Sequence, residues 1–362
     1  MNGYGLSINR RTDRNASAGS GKESISGCTT WLDMGASVNS GKSVEKTEKM
    51  RGQTTAGHAI EKPENCQDSY WNPGTYLNRI RMERPLIHCI TNYVTANDCA
   101  NVLLAIGASP VMADDASEVT DITAKSAALV LNLGTLHQET VPAMLAAGRE
   151  ANRWDIPIIL DPVGAGASKH RTETARMLLD ELSIAAVRGN ASEVKALALG
   201  WGGARGVDAD EKDAMHEGSR LEEAMRIAAA FARREKTVAA VTGETDIVTD
   251  GMTAYCIQNG SPLMQSVTGA GCQLSALTAA FAAAAASAGA EPHARTDRNK
   301  ETDLTEAVAA AVCAMGVCGE LAEKRMTPPD GSGSYRVYLM DAVSNLTEAQ
   351  LHEHAKVTRR QV

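Results

Sequence analysis

The chain has 362 residues and a formal net charge of −8, with 43% hydrophobic but only 4% aromatic residues. This length accommodates one large domain or two ordinary ones, and the core must be built from Ala, Leu, Val, Ile and Met. The acidic balance argues against a binder of nucleic acids or anionic membranes, because phosphate contacts need clustered cations. Eight scattered cysteines without a C-x-x-C pair favour a reducing, cytoplasmic setting over a disulfide scaffold or a zinc ribbon.

The first 75 residues differ in composition from the rest of the chain. They contain seven Ile, Leu, Val or Phe residues, and their nine basic and eight acidic residues nearly balance. A segment with so few apolar side chains cannot offset its ordering entropy, so we predict a disordered extension over residues 1–75. A targeting peptide is the less favoured alternative, since no apolar segment follows the Arg- and Ser-containing start. Residues 76–362 are predicted to form a single domain.

After residue 80, short aliphatic runs alternate with helical patterns. The runs predict strands at 85–90, 108–112, 127–133, 157–161, 185–188 and 237–241, and a hairpin over 247–257 that turns at Asp250-Gly251. The intervening patterns predict a helix that is capped by Thr95 or Asn97 and ends at Gly107, and helices near 138–153, 171–182 and 219–236. This alternation predicts an α/β fold with a mostly parallel sheet and helices on both faces. Residues 288–304 are predicted to be a polar surface insertion.

Residues 251–290 contain no Asp, Glu, Lys or Arg. The stretch is rich in Ala, Gly, Ser and Thr, and it includes Gln258, Asn259 and Gln273. A membrane-spanning helix needs about 20 strongly apolar residues, so the composition favours a buried helix packed closely on the sheet.

The start of this uncharged helix is a candidate anion site. Two glycines in the sequence GAGC (269–272) allow a ligand to approach the backbone, and the N–H groups of a helix N-terminus bind phosphate. Close packing of the helix on a strand would also require small residues, so both interpretations remain open on this motif alone.

Two carboxylates and one arginine follow predicted strands at the same edge of the sheet. Asp161 and Glu193 suit Mg²⁺ bound with a nucleotide, and Arg188 suits a phosphate. Each has a structural alternative: an Asp-Pro turn for Asp161, a capping box with Asn190 for Glu193, and a solvated strand edge for Arg188.

The order of the motifs is more specific than any single motif. Along the chain they read PLIHCITN (85–92), LLAIGASPVM (103–112), LNLGTL (131–136), DPVGAG (161–166), RGNASE (188–193), GVD (206–208), VTGETD (241–246) and GAGC (269–272). This series closely resembles that of the hydroxyethylthiazole kinases, thiamine-salvage enzymes of the ribokinase-like superfamily, over residues 76 to 357. The resemblance leaves out the N-terminal extension and the 288–304 insertion.

The resemblance implies a ribokinase-like three-layer sandwich that transfers the ATP γ-phosphoryl to the primary hydroxyl of 4-methyl-5-(2-hydroxyethyl)thiazole. It implies homotrimers with active sites at the subunit boundaries. The thiazole would contact Asn92, Val94, Met112, Gly134, Thr135 and Gly269. ATP would bind near Arg188, Asn190 and Thr242, with Mg²⁺ at Asp161 and Glu193.

Cys272 departs from the Gly-x-Gly-Asp pattern of sugar kinases in the wider superfamily. A thiol at a helix N-terminus is partly ionised near neutral pH, so we expect Cys272 to orient the alcohol and accept its proton. The N–H groups of Gly269, Ala270, Gly271 and Cys272 would stabilise the transferring phosphoryl. The alternatives are another ribokinase-like kinase of a small alcohol or pyrimidine, a nucleotide-dependent hydrate dehydratase of that superfamily, and an inactive nucleotide- or thiazole-binding homologue. An Asp at position 272 would have favoured the two enzyme alternatives.

Overall fold

The computed structural model describes residues 71–200, 217–287 and 297–362. The chain divides into two units, Met1–Ile60 and Glu61–Val362. Residues 1–70 of the predicted N-terminal extension are not among the described residues, so the disorder of this segment stays a prediction. The motif at 206–208 also lies outside them.

One sheet of nine strands organises the described residues, in the order β2-β1-β3-β4-β5-β6-β7-β8-β9. Strands β1 to β6 pair in parallel, whereas β6 to β9 pair in antiparallel fashion. The predicted mostly parallel sheet is therefore confirmed, and so is the hairpin that turns at Asp250-Gly251. The strands are β1 Leu86–Ile90, β2 Ser109–Val111, β3 Ala128–Asn132, β4 Ile158–Asp161, β5 Ala186–Asn190, β6 Val238–Thr242, β7 Asp246–Thr249, β8 Thr253–Ile257 and β9 Val357–Gln361.

Helices cover both faces of the sheet. The helices are α1 Pro73–Glu83, α2 Ala96–Ile106, α3 Val119–Thr123, α4 Thr140–Arg153, α5 Lys169–Glu181, α6 Ala191–Leu199, α7 Glu217–Glu235, α8 Ala270–Ser287, α9 Asp297–Lys324, α10 Ser332–Asn345 and α11 Glu348–His354. A short 3₁₀ helix, Pro262–Ser266, precedes α8. Buried residues of α1, α2 and α8 to α11 form one core cluster, and those of α3 to α7 form the other. This is the three-layer sandwich that the sequence predicted.

Helix α8 is the uncharged helix, and it lies inside the structure. It packs on β1, β3 and β4 and against α9, and every residue from Gln273 to Ala285 is buried. Two segments, Ala270–Ser287 and Leu304–Lys324, are long and apolar enough to cross a membrane, but 72% and 78% of them are buried within the structure. Such burial is typical of the core helices of a soluble protein.

The folded domain begins before the boundary expected at residue 76. Helix α1 starts at Pro73, and the side chain of Asn72 caps it by accepting a hydrogen bond from the Gly74 N–H. Trp71 packs against the core and donates from Nε1 to the carbonyl of Glu306. A boundary drawn from the density of apolar residues misses this segment, because a cap and a proline define the helix start.

The predicted surface insertion at 288–304 also needs correction. Residues 297–304 form the first turns of α9, whereas 288–296 lie outside the described residues. A charged sequence is equally compatible with the first turns of a helix that becomes apolar further on.

Candidate active site

The candidate site residues gather at the carboxyl ends of the parallel strands. Asn92 follows β1, Asn132 ends β3, Asp161 ends β4, Arg188 lies in β5 and Thr242 ends β6. Ligands of open α/β sheets bind at this edge, because the loops that follow the strands meet there. The N-terminus of α8 reaches the same edge, as the contacts of its first turn with these residues establish.

Asp161 is fully buried and has one oxygen without a partner. Its Oδ2 accepts hydrogen bonds from Ser275 Oγ at 2.7 Å and from Asn132 Nδ2 at 2.8 Å. Its Oδ1 lies 3.8 Å from Nη1 of Arg188 and has no hydrogen bond within the described chain. Burial raises the pKa of Asp161 to about 6, although the Arg188 charge opposes the shift. A buried carboxylate oxygen in this state is suited to a cation.

Glu193 caps α6 and lies close to Asp161. Its Oε2 accepts from the Asn190 N–H while Asn190 Oδ1 accepts from the Glu193 N–H, so the capping box is present. Its Oε1 accepts from the Gly164 N–H at 2.9 Å. The charge of Glu193 contributes to the raised pKa of Asp161. The two carboxylates are therefore near enough to interact electrostatically.

This donor set fits Mg²⁺ held together with phosphates. Within the described ranges no group of three or more His, Cys, Asp or Glu side chains could hold a metal ion. Mg²⁺ usually keeps several waters and takes one or two protein carboxylates plus substrate phosphates. The unpartnered oxygen of Asp161, with Glu193 nearby, matches that requirement.

Arg188 lies against the first turn of α8. Its Nη2 donates to Thr242 Oγ1 at 3.1 Å. A Cβ at Gly271 would stand 2.6 Å from Arg188 Nη1, so glycine is what allows the guanidinium to approach the helix backbone. First-turn N–H groups have no intrahelical acceptor, and together with a guanidinium beside them they are suited to an anion.

Gly269 and Gly134 permit two further close approaches. Gly269 has a φ of +86°, and a Cβ there would lie 2.6 Å from the Thr95 methyl group. A Cβ at Gly134 would lie 2.5 Å from Asn92 Nδ2. The glycine motif at 269–272 thus permits close packing at the start of α8, and its binding of phosphate stays a prediction.

Cys272 is partly buried and faces two side-chain amides. Its Sγ accepts from Asn132 Nδ2 at 3.2 Å and from Asn92 Nδ2 at 3.5 Å. Direct side-chain hydrogen bonds join Asn92 to Asn132, Asn132 to Asp161, and Asp161 to Ser275. They connect the loop after β1 with β3, β4 and α8.

The predicted thiazole residues fall into two groups. Asn92 is 6% exposed and contacts Gly134, and the hydroxyl of Thr135 is buried without a partner among the described residues. Val94 and Met112, by contrast, are 53% and 37% exposed. Asn92 and Thr135 follow strands β1 and β3, and Asn92 donates to Cys272 Sγ, whereas the second group lies on the surface of the chain.

A cavity of about 1030 Å³ opens beside Arg188. Its lining includes the predicted residues Arg188, Asn190 and Thr242 as well as Gly269 to Gly271. The sequence missed its apolar wall, which consists of Pro262, Met264, Leu274, Val312 and Met315. No motif marks these residues, but Val312 and Met315 are three apart on α9 and therefore share one helix face.

A cavity, a guanidinium beside a helix N-terminus and two carboxylates at the strand ends suit a small-molecule kinase, a phosphotransferase with an alcohol group as acceptor. The sequence profile of the Hydroxyethylthiazole kinase family matches residues 77–349. The chain belongs to this family.

Individual relatives agree with this assignment. The chain is 47% identical over 280 residues to the hydroxyethylthiazole kinase of Clostridium acetobutylicum, covering 77% of this chain and 97% of that protein. It is 44% identical over 281 residues to that of Methanocella arvoryzae, covering 78% and 96%. The solved structure of a hydroxyethylthiazole kinase protein from Pyrococcus horikoshii OT3 superposes with a TM-score of 0.66 at 35% identity, over 80% of this chain and 98% of that one.

Proposed function

We propose that this enzyme transfers the γ-phosphoryl of ATP to the primary hydroxyl of 4-methyl-5-(2-hydroxyethyl)thiazole, and that the thiazole phosphate enters thiamine salvage in the cytoplasm. The observation that carries the proposal is the buried Asp161 carboxylate, which lies between Arg188 and the start of α8 and shares Asn132 with Cys272. In this proposal a cation site, an anion site and a proton acceptor would lie together, as phosphoryl transfer requires.

ATP occupies the cavity beside Arg188 in this proposal. The apolar wall, which includes Met264 and Met315, suits a planar base, whereas Arg188 and Thr242 face the phosphates. Asn190 lines the cavity and fixes Glu193 through the capping box. Asp161 and Glu193 would hold Mg²⁺, which would supply positive charge against the negative charge that develops on the phosphates.

Cys272 acts at the alcohol. In the thiolate form its Sγ accepts the hydroxyl proton as the oxygen bonds to phosphorus and the bond to the ADP oxygen breaks. The N–H groups at residues 269–272 and the Arg188 guanidinium stabilise the transferring phosphoryl. Because the transition state is loose, positioning and charge stabilisation contribute more than the strength of the base.

The thiazole contacts Asn92, Gly134, Thr135 and Gly269 in this proposal, while Val94 and Met112 supply apolar surface. The resemblance to the hydroxyethylthiazole kinases implies homotrimers with active sites at the subunit boundaries, and we propose the same assembly for this chain, in which the exposed Val94 and Met112 would be covered by a neighbouring subunit. Sedimentation equilibrium is expected to give the mass of three chains, and a monomer at full activity would contradict the proposal.

The activity is tested by coupled ADP release and phosphorus NMR of the product. The purified protein is incubated with ATP·Mg²⁺ and the thiazole alcohol, and in parallel with hydroxymethylpyrimidine and ribose. We expect turnover with the thiazole alcohol. Turnover with another alcohol alone would indicate a different kinase, and binding of the thiazole without turnover would indicate an inactive homologue.

A further inference from the structure

We propose that Asn132 is a positioning residue: together with Asn92 it holds Sγ of Cys272 at the reacting hydroxyl and connects it to Asp161. The inference rests on the role proposed for Cys272. Asn132 is 3% exposed, and it stands opposite Asp161 in the pairing of β3 with β4, so the sheet itself fixes this residue.

The orientation of the Asn132 amide follows from its backbone neighbour. Its Oδ1 accepts from the Gly134 N–H at 2.9 Å, and a backbone N–H can only donate. Nδ2 must therefore point away from Gly134, where it donates to Asp161 Oδ2 at 2.8 Å and to Cys272 Sγ at 3.2 Å. Both amide hydrogens are used, one on the carboxylate and one on the sulfur.

The orientation of Asn92 is fixed in the same way. Its Oδ1 accepts from the Thr95 N–H at 3.0 Å and from Thr95 Oγ1 at 3.1 Å. Its Nδ2 then donates to Asn132 Oδ1 at 3.0 Å and to Cys272 Sγ at 3.5 Å. The ambiguity that usually affects side-chain amides is removed at both residues, because a backbone donor is present at each.

Two amide donors thus converge on one sulfur. A sulfur that receives two N–H groups is stabilised when it carries negative charge, and its position is fixed by atoms of β3 and of the loop after β1. Asn132 also joins this sulfur to the carboxylate proposed for Mg²⁺. The proton acceptor and the metal carboxylate are therefore held by one rigid amide rather than by independent side chains.

The test uses the full chain with two substitutions at this position. Asn132→Ala removes the amide, whereas Asn132→Asp keeps its size and the acceptor for Gly134 but places a carboxylate oxygen near Sγ. Asn101→Ala is the matched control, because Asn101 is exposed and its side chain bonds only to Asn97 of its own helix among the described residues. Thermal midpoints identify variants that fail to fold. If Asn132→Ala fails to fold, the isosteric Asn132→Asp still allows the test.

Three readouts are combined: kcat and KM, the rate of iodoacetamide alkylation at Cys272 followed by peptide mass spectrometry, and the same substitutions in a Cys272→Ala background. We expect both Asn132 variants to lower kcat by about tenfold or more while KM for the alcohol changes by less than about threefold. Alkylation should slow several-fold, and in the Cys272→Ala background the effect on kcat should largely disappear, as expected for groups that act as a unit.

An unchanged alkylation rate, or an equal loss of kcat in the Cys272→Ala background, would overturn the inference. The role proposed for Cys272 is tested separately by Cys272→Ala alone. Full kcat in that variant, with alkylation of the parent enzyme still dependent on Asn132, would refute the role as base yet support the amide clamp.

Discussion

Gly271 leaves room for the side chain of Arg188. Its missing Cβ lets the Arg188 guanidinium lie against the first turn of α8, where both face the cavity. The same absence at Gly134 lets Asn92 reach the thiol. At both positions a Cβ atom would occupy the space that Arg188 or Asn92 takes.

We predict that Gly271→Ala damages nucleotide binding far more than stability. The new methyl would meet Arg188 Nη1 at 2.6 Å, and the flexible end of that side chain can move aside. Because Arg188 then leaves the phosphates, kcat/KM for ATP should fall about tenfold or more, with a change in thermal midpoint of a few degrees. Gly333→Ala, where a Cβ meets nothing within 4 Å, is the matched control. Equal kinetics in both variants would contradict the placement of Arg188.

His88 is a buried titratable side chain that contacts the segment after β2. It is fully buried, its Nε2 lies 2.7 Å from the Ala113 carbonyl and its Nδ1 lies 2.8 Å from Thr123 Oγ1. A carbonyl can only accept, so Nε2 carries the hydrogen, and burial lowers the pKa of His88. Ala113 follows Met112, so this ring fixes one end of the proposed thiazole surface.

The sign of the effect follows from that lowered pKa. As the pH falls below the ordinary histidine value of about 6.5, the unfolded chain takes up the proton before the folded chain does, so the free energy of unfolding decreases. We expect this decrease between about pH 7.5 and 5.5 to be smaller in His88→Gln, as measured by urea unfolding. The exposed His352→Gln provides the control. An identical decrease in the parent and in His88→Gln would show that another group dominates.

Helix α8 packs closely on its neighbours because most of its buried side chains are alanine. Every residue from Ala276 to Ala285 is buried between the sheet and α9, and most of them are alanine. Small side chains allow the helix axis to approach both neighbours, so the start of α8 is held at the strand ends beside Asp161. Ser275, three residues after Cys272, reaches Asp161 from that helix face.

Enlarging the centre of this helix should therefore be costly. Ala280 is 0% exposed, and we expect Ala280→Leu to lower the free energy of unfolding by about 1–3 kcal/mol through overpacking. Ala286→Leu places the same side chain at an exposed position of the same helix and should cost little. Urea unfolding of the two variants measures the difference. Equal losses would mean that the side-chain volume at Ala280 is not limiting.

The sequence predicted the strands and helices that have a regular hydrophobic pattern. It did not predict segments whose structure depends on contacts with distant parts of the chain. Strands β1 to β6 and the β7–β8 hairpin were anticipated because aliphatic runs between turn residues identify them. Strand β9, Val357–Gln361, has the sequence VTRRQ and is mostly exposed, so only its pairing with β8 defines it. The site followed the same rule, since strand-end motifs marked Asp161 and Arg188. The cavity wall from α9 and the bonds of Asn132 depend on tertiary contacts that no single motif contains.

The domain boundary can be located with two truncations. We propose that removing residues 1–60 leaves kcat and the thermal midpoint nearly unchanged. Removing residues 1–75 should destabilise the enzyme by about 2–4 kcal/mol, because it deletes the Asn72 cap, Pro73 and the packing of Trp71. Differential scanning calorimetry compares the two. Equal midpoints would contradict the contribution of residues 71–75.

The shortage of aromatic residues also determines how this molecule can be observed. Of its four tryptophans, Trp71 and Trp154 lie in the described ranges, and Trp154 is 57% exposed. The ring of Trp71, which precedes α1, lies 6.0 Å from the ring of Tyr255 in β8. Among the described residues, a change in intrinsic fluorescence would therefore report the release of the N-terminal helix. Helix α8 itself contains no tryptophan, so a change confined to its alanine-rich part that left Trp71 in place would not alter tryptophan fluorescence.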